Sequence, residues 1–175
     1  MSIFTVGHST RSLEDFIGLL KNAGSDMVVD VRRMPRSRWQ PQFNKDALAR
    51  TLPEAGIAYI HLPELGGHRE AQPHSRNTLW RAGGGLQGYA DYAETRPFHD
   101  ALAKIVKLGL ERNPALMCAE ADWRNCHRQI IKDYLVARNI PVTHIMKDGF
   151  EEGTLTKGAA VMGETVLYAG EPRLL

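Results

Sequence analysis

Long apolar runs are missing from this 175-residue chain. No stretch approaches the roughly 18 residues that a membrane-spanning helix needs. Cysteine is scarce: Cys118 and Cys126 are the two present. Such a pair cannot make the multi-bridge framework of a small secreted domain. Charge of one sign is also lacking. The formal balance of +2 gives no overall field that would select a nucleic acid or a membrane as partner. The first residues, MSIFTVGHST, have no charged start, apolar run and small-residue cleavage site of a signal peptide. A cytoplasmic location with reduced cysteines is therefore expected. Internal repeats, low-complexity tracts and obvious linkers are absent as well.

What is present suits one folded unit. A hydrophobic fraction of 43% with 24% charged residues can bury a core, which excludes extended disorder. The length fits a single domain. Short apolar runs alternate with helical spacing, which predicts a three-layer α/β domain, mainly parallel in its sheet, with helices on both faces.

Strands are expected at Ile3–Val6, Met27–Val31, Ile57–Leu62, Ala115–Cys118 and Val142–Ile145, with a further short one at Val166–Tyr168. Ser12 caps a first helix that Gly24 closes, with Leu13, Phe16, Ile17 and Leu20 at helical spacing. Asn44 is expected to cap a second helix reaching about Ala55. Another helix should span about Pro97 to Leu108, and Asn125 should cap one running through about Arg138. The proline-containing segment Met34–Phe43 should be a loop. Residues 63–88 form an irregular stretch holding Gly66–Gly67 and Gly83–Gly84–Gly85. A connection of that length is often functional, so it is either a lid or a mobile excursion.

Polar residues gather at the predicted strand ends. His8 and Ser9 follow the first strand, Asp30 and Arg32 end the second, and Cys118 and Glu120 end the fourth. Cys126, His127 and Arg128 open the helix that follows. Open parallel sheets bind ligands beyond the carboxyl ends of their strands, and a helix N-terminus attracts anions. Arg32 and Arg128 could add bidentate donors to a phosphate or carboxylate. Arg32, Arg33, Arg36 and Arg38 fall within seven residues, a run that suits phosphates or a solvated loop.

These pieces carry a resemblance. TVGHST at residues 5–10, VVDVRRMPRSR at 28–38, Phe43, LPELGG at 62–67, CAEADWRNCHR at 118–128 and VTHI at 142–145 occur in order through most of the chain. Together they resemble the DUF488 family, small bacterial and archaeal proteins of unknown function. The resemblance implies an α/β fold and polar motif residues at His8, Ser9, Asp30, Arg32, Glu120, Cys126, His127 and Arg128. It implies no reaction.

The expected activity is that of an enzyme, hydrolytic or glycosidic-bond-cleaving, on a phosphate-bearing substrate such as a nucleotide or nucleic acid. Glu120 is the acid/base candidate, with His8 and Ser9 assisting; a structural ion pair to Arg128 or Arg32 is the alternative for Glu120. Arg32, Cys126, His127, Arg128 and Trp39 are the candidate substrate or anion contacts, while Asp30, Gly66 and Gly67 support them. Trp39, Trp80 and Trp123 suit base stacking or plain packing. A non-catalytic binding module for nucleotide or nucleic acid is the second reading. A thiol or metal protein is the third, with Cys126 as nucleophile or Cys118, Cys126 and His127, joined by His8, around zinc. The spacing fits no standard zinc pattern, so no cofactor and no metal ligands are assigned.

Overall fold

Burial along the strands shows how the layers form. The structure, a computed structural model, describes residues 1–82 and 85–170. Of the Gly83–Gly85 run only Gly85 is included; Gly83 and Gly84 lie outside the described residues. Strand β1 is Ile3–Gly7, β2 Met27–Asp30, β3 Ala58–His61, β4 Pro114–Cys118, β5 Val142–Met146 and β6 Gly149–Glu152. They form one sheet in the order β3-β2-β4-β1-β5-β6. The first five are parallel, and β6 returns antiparallel to β5. Parallel strands need cover on both faces, and β2 and β4 are buried at every position.

Successive side chains of a strand alternate between the faces, and two cores follow. On one face Val6, Val28, Met117 and Ile145 pack with Phe16 and Leu20 of α1 (Leu13–Ala23) and Leu48 and Leu52 of α2 (Lys45–Glu54). On the other, Ile3, Val29 and Leu116 pack with Tyr89 of α3 (Leu86–Tyr92), Phe98 and Ile105 of α4 (Arg96–Glu111), and Ile130 and Tyr134 of α5 (Arg128–Val136). The chain is thus a three-layer α/β domain. A hairpin of β7 (Ala160–Met162) and β8 (Thr165–Leu167) completes it. Tyr168 beyond the hairpin donates to Asp133, which also pairs with Lys132 at 2.6 Å, and this buried cluster ties the final segment to α5.

The expected ends of α1 are met, and other boundaries differ from the sequence expectation. Ser12 caps α1 by accepting from Asp15 N, and Gly24 closes it in the left-handed region. Asn44 occupies the cap position of α2, but its side chain accepts from Ser37 N at 2.7 Å. Asn125 does not cap α5. It closes a 3-10 turn, Trp123–Asn125, which the Asp122 carboxylate caps through Arg124 N, and α5 starts at Arg128. The irregular stretch also contains 3-10 turns at Pro63–Leu65 and Thr78–Trp80 and the start of α3. It is tethered through Asp91, which accepts from Gln72 N, Ser75 Oγ and Asn77 Nδ2. No helix among the described residues is long and apolar enough to cross a membrane.

Candidate functional site

The parallel register brings the strand ends level. Asp30 lies opposite His61 on one side and Met117 on the other, and Gly7 lies opposite Cys118. The segments leaving β1, β2 and β4 therefore emerge side by side. His8 N donates to Cys118 O at 2.9 Å and Ser9 N to Ala119 O at 3.0 Å, so the exits of β1 and β4 run together for two residues past the sheet. Gly7 permits this: a Cβ there would sit 1.8 Å from the Glu120 carbonyl oxygen. Ser9 takes a positive φ of 50°, which is uncommon outside glycine and costs energy that neighbouring contacts must offset.

Asp30 is the hub of the β2 exit. Its fully buried carboxylate accepts from Arg32 Nε and Nη2, both at 2.8 Å, and from Tyr59 Oη at 2.6 Å. Burial, with the Asp30 charge adding, pushes the Tyr59 phenol well above its ordinary range, so it remains a donor. The same guanidinium donates to the Phe43 carbonyl at 2.6 Å and approaches His8 Nε2 at 3.1 Å. His8 Nδ1 meets the Ser9 carbonyl at 2.8 Å. A carbonyl only accepts, so Nδ1 carries the proton and Nε2 accepts from Arg32. The ring stacks on Phe43 with centroids 4.4 Å apart. Burial, the largest cause, lowers the His8 pKa to about 4. His8 is thus a neutral ring with both nitrogens engaged, which orients Arg32. His61 Nε2 donates to the Arg32 carbonyl at 2.7 Å.

The β4 exit encloses the cysteines. Cys118 and Cys126 are both reduced and buried, with sulfurs 3.3 Å apart. Arg128 Nε donates to Cys126 Sγ at 3.2 Å, Nη1 reaches Thr5 Oγ1 at 3.4 Å, and Nη2 donates to the Glu120 carbonyl. Thr5 Oγ1 lies 2.6 Å from His144 Nδ1, and the His144 ring stacks on Trp123 at 4.1 Å. Trp123 Nε1 is held by Glu151 at 3.0 Å. Burial lowers the His144 pKa to about 3.

A third loop closes against these two. His127 Nε2 donates to the Val31 carbonyl at 2.7 Å, and burial lowers its pKa to about 4. A Cβ on Gly67 would come within 3.0 Å of His127 Nδ1, and one on Gly66 within 2.6 Å of the Arg33 backbone. The two glycines let the β3 exit lie flat across the exit of β2 and the start of α5. Beside them is a hollow of about 530 Å³ lined by Arg33, His68, Arg69, Glu70 and Tyr92, among others.

The candidate residues divide by depth. Arg128, Cys126, His8 and Asp30 are buried, and Arg32 and His127 are largely so, each engaged with protein groups. The open rim carries Glu120, Ser9 and the loop after β2. The Glu120 side chain is exposed and has no hydrogen bond or ion pair among the described residues. Arg33, Met34, Arg36, Arg38 and Trp39 are exposed, Trp39 at 88%. Gln42 Nε2 fastens this loop to the Arg11 carbonyl at 3.0 Å, next to the β1 exit. Tyr59, His61, Thr5 and His144 join the network without having been expected. Tyr59 and His61, two apart on β3 and opposite Val28 and Asp30 of β2, carry a faint signal in the alternating polar positions of AYIH. No group of three His, Cys, Asp or Glu placed to hold a metal occurs among the described residues.

The family model for DUF488, a domain of unknown function, matches residues 12–135, and the chain belongs to that family. No curated protein matches the chain, and no solved structure does.

Proposed function

We propose that this DUF488 protein is an enzyme acting on a phosphate-bearing substrate, a nucleotide or nucleic acid, at the carboxyl rim of its sheet. The observation that carries the reading is the joining of two unlike surfaces. One is the exposed Glu120 carboxylate, without a partner among the described residues and one residue from the Ser9–Ala119 backbone contact. The other is the exposed Trp39, which follows the exposed Arg33, Arg36 and Arg38 on a loop fastened to the β1 exit by Gln42 and Phe43. A planar ring in water has no packing role of its own, and base stacking would use it. The exposed guanidinium groups would take the phosphates.

The buried groups then act as support. Asp30 and His8 fix Arg32, while Arg128 fixes the Glu120 backbone. Glu120 is the proton acceptor or donor, and the Ser9 hydroxyl lies on the adjoining exit as a second polar contact. Hydrolysis and glycosidic-bond cleavage can each use such a carboxylate as general acid or base.

The test is a panel of nucleotides and short oligonucleotides, followed by chromatography for released phosphate, base or shortened strand. Turnover by the native chain that falls at least ~100-fold in Glu120→Gln, with binding and folding retained, supports the reading. Undiminished turnover by folded Glu120→Gln removes Glu120 from its role. Binding without turnover of any panel member makes the chain a recognition module.

A further inference from the structure

Two thiols and a guanidinium share one dry space beneath the rim. Arg128 is 1% exposed. Its guanidinium stays protonated throughout the pH range of a folded protein, and a buried charge requires an opposite one. No carboxylate pairs with it among the described residues. Thr5 Oγ1 and the Glu120 carbonyl, which accept from two of its nitrogens, are neutral. The remaining acceptor is Cys126 Sγ, 3.2 Å from Nε. Ionisation of that sulfur, in place of its 3.8 Å contact as donor to the Trp123 carbonyl, would supply a negative charge beside the guanidinium. Cys118, 3.3 Å away at the end of β4, then donates its S–H to it.

We infer that Cys126 is a thiolate nucleophile for hydroperoxides and that Cys118 is its resolving thiol. The hydrogen bond from Cys118, aided by Arg128, holds the Cys126 thiol below its ordinary range, while burial pushes Cys118 well above it. Facing Cys126 are Cys118 from β4, Arg128 from its own segment and the Trp123 carbonyl, with Tyr89 of α3 in the same core. Cys126 is 7% exposed against 2% for Cys118, so a small oxidant meets Cys126 first.

The Cys126 sulfur attacks the terminal peroxide oxygen and the O–O bond breaks. A sulfenic acid forms, and the departing hydroxide or alkoxide takes a proton to leave as water or alcohol. Cys118 sulfur then attacks Cys126 sulfur and the S–O bond breaks. Hydroxide leaves with the Cys118 proton as water, and a disulfide remains. Two thiols are oxidised by one hydroperoxide. The disulfide removes the anion facing Arg128, the residue that also holds the Glu120 carbonyl, so oxidation loosens the loop carrying Glu120. The chemistry itself does not depend on the nucleotide reading.

The experiment exposes the fully reduced native chain to one equivalent of hydrogen peroxide and follows free thiols and intact mass. Both thiols should disappear together with the loss of two hydrogens, at least about tenfold faster than for free cysteine at neutral pH. Cys118→Ser should stop at a sulfenic acid on Cys126 that a dimedone probe captures, and Cys126→Ser should stay reduced. Should the serine variants fail to fold, limiting iodoacetamide on the native chain decides, since Cys126 must be alkylated before Cys118. Prior labelling of Cys118, or oxidation no faster than that of free cysteine, overturns the inference.

Discussion

Asp30 and Arg32, two positions apart, meet through two parallel hydrogen bonds of 2.8 Å, with the carboxylate fully buried. This pair supports the whole rim, because the same guanidinium reaches His8 and the Phe43 carbonyl. Removing one partner of a buried pair strands the other charge. Asp30→Asn should therefore cost about 3–5 kcal/mol, measured by denaturant unfolding. Adding Arg32→Met should recover part of that loss, because the double variant leaves no unpaired charge. A loss below about 1 kcal/mol in the single variant would mean that water already screens the pair.

Much of this arrangement follows from patterns visible in the chain, for definable reasons. The five parallel strands are apolar runs of ordinary length, and Ser12 and Gly24 mark the ends of α1. Polar residues just past such runs must come to one rim, which made His8, Asp30, Arg32 and Glu120 legible. Depth was not legible. Burial of Arg128 depends on the register that sets Gly7 against Cys118, and on a carbonyl filling the space above Gly7. The proximity of Cys118 to Cys126 needs the 3-10 turn between them, which Asp122 marks locally without fixing how close the two sulfurs come. Helix α3 has Gly88 at its centre, a poor helix former. Strand β6, GFEE, lacks apolar alternation because it lies at the sheet edge, mostly exposed.

Gly7→Ala tests the close approach directly. The added methyl would lie 1.8 Å from the Glu120 oxygen, and the obstacle is backbone. The β1 and β4 exits must separate, weakening the His8–Cys118 and Ser9–Ala119 hydrogen bonds. A destabilisation of about 1–3 kcal/mol or more is expected, with faster amide exchange at His8 and Ser9. Native stability and unchanged exchange would show that the two exits part without cost.

Trp39, Arg36 and Arg38 give a prediction that separates recognition from stability. All three are exposed, so Trp39→Ala and the Arg36→Ala, Arg38→Ala pair should change folding by less than about 0.5 kcal/mol. If Trp39 stacks on a base, Trp39→Ala should weaken single-strand binding by about 1–3 kcal/mol. If both arginines contact phosphates, the double variant should reduce the slope of log affinity against log salt by about 1.4. Unchanged affinity and salt slope in a chain that binds would place the ligand elsewhere on the surface.

Four histidines with lowered pKa values make stability respond to acid, the partly buried His99 among them. His8 and His127 are lowered to about 4 and His144 to about 3, chiefly by burial. Below pH 6.5 the unfolded chain takes up protons on these rings, while the folded chain refuses them until near pH 4. Proton uptake by the unfolded state alone makes stability fall as pH drops through that window. Each ring adds up to about 1.4 kcal/mol per pH unit where the two states differ by a full proton. Chemical denaturation between pH 7 and 4.5 should show this slope, and His144→Gln should make it shallower by roughly the share of one ring. His8→Gln should do the same and should also release Arg32, because it removes the ring nitrogen that accepts from Nη1. A flat profile over this range would mean that the rings take up protons in the folded chain, with water reaching His8 and His144 from the rim.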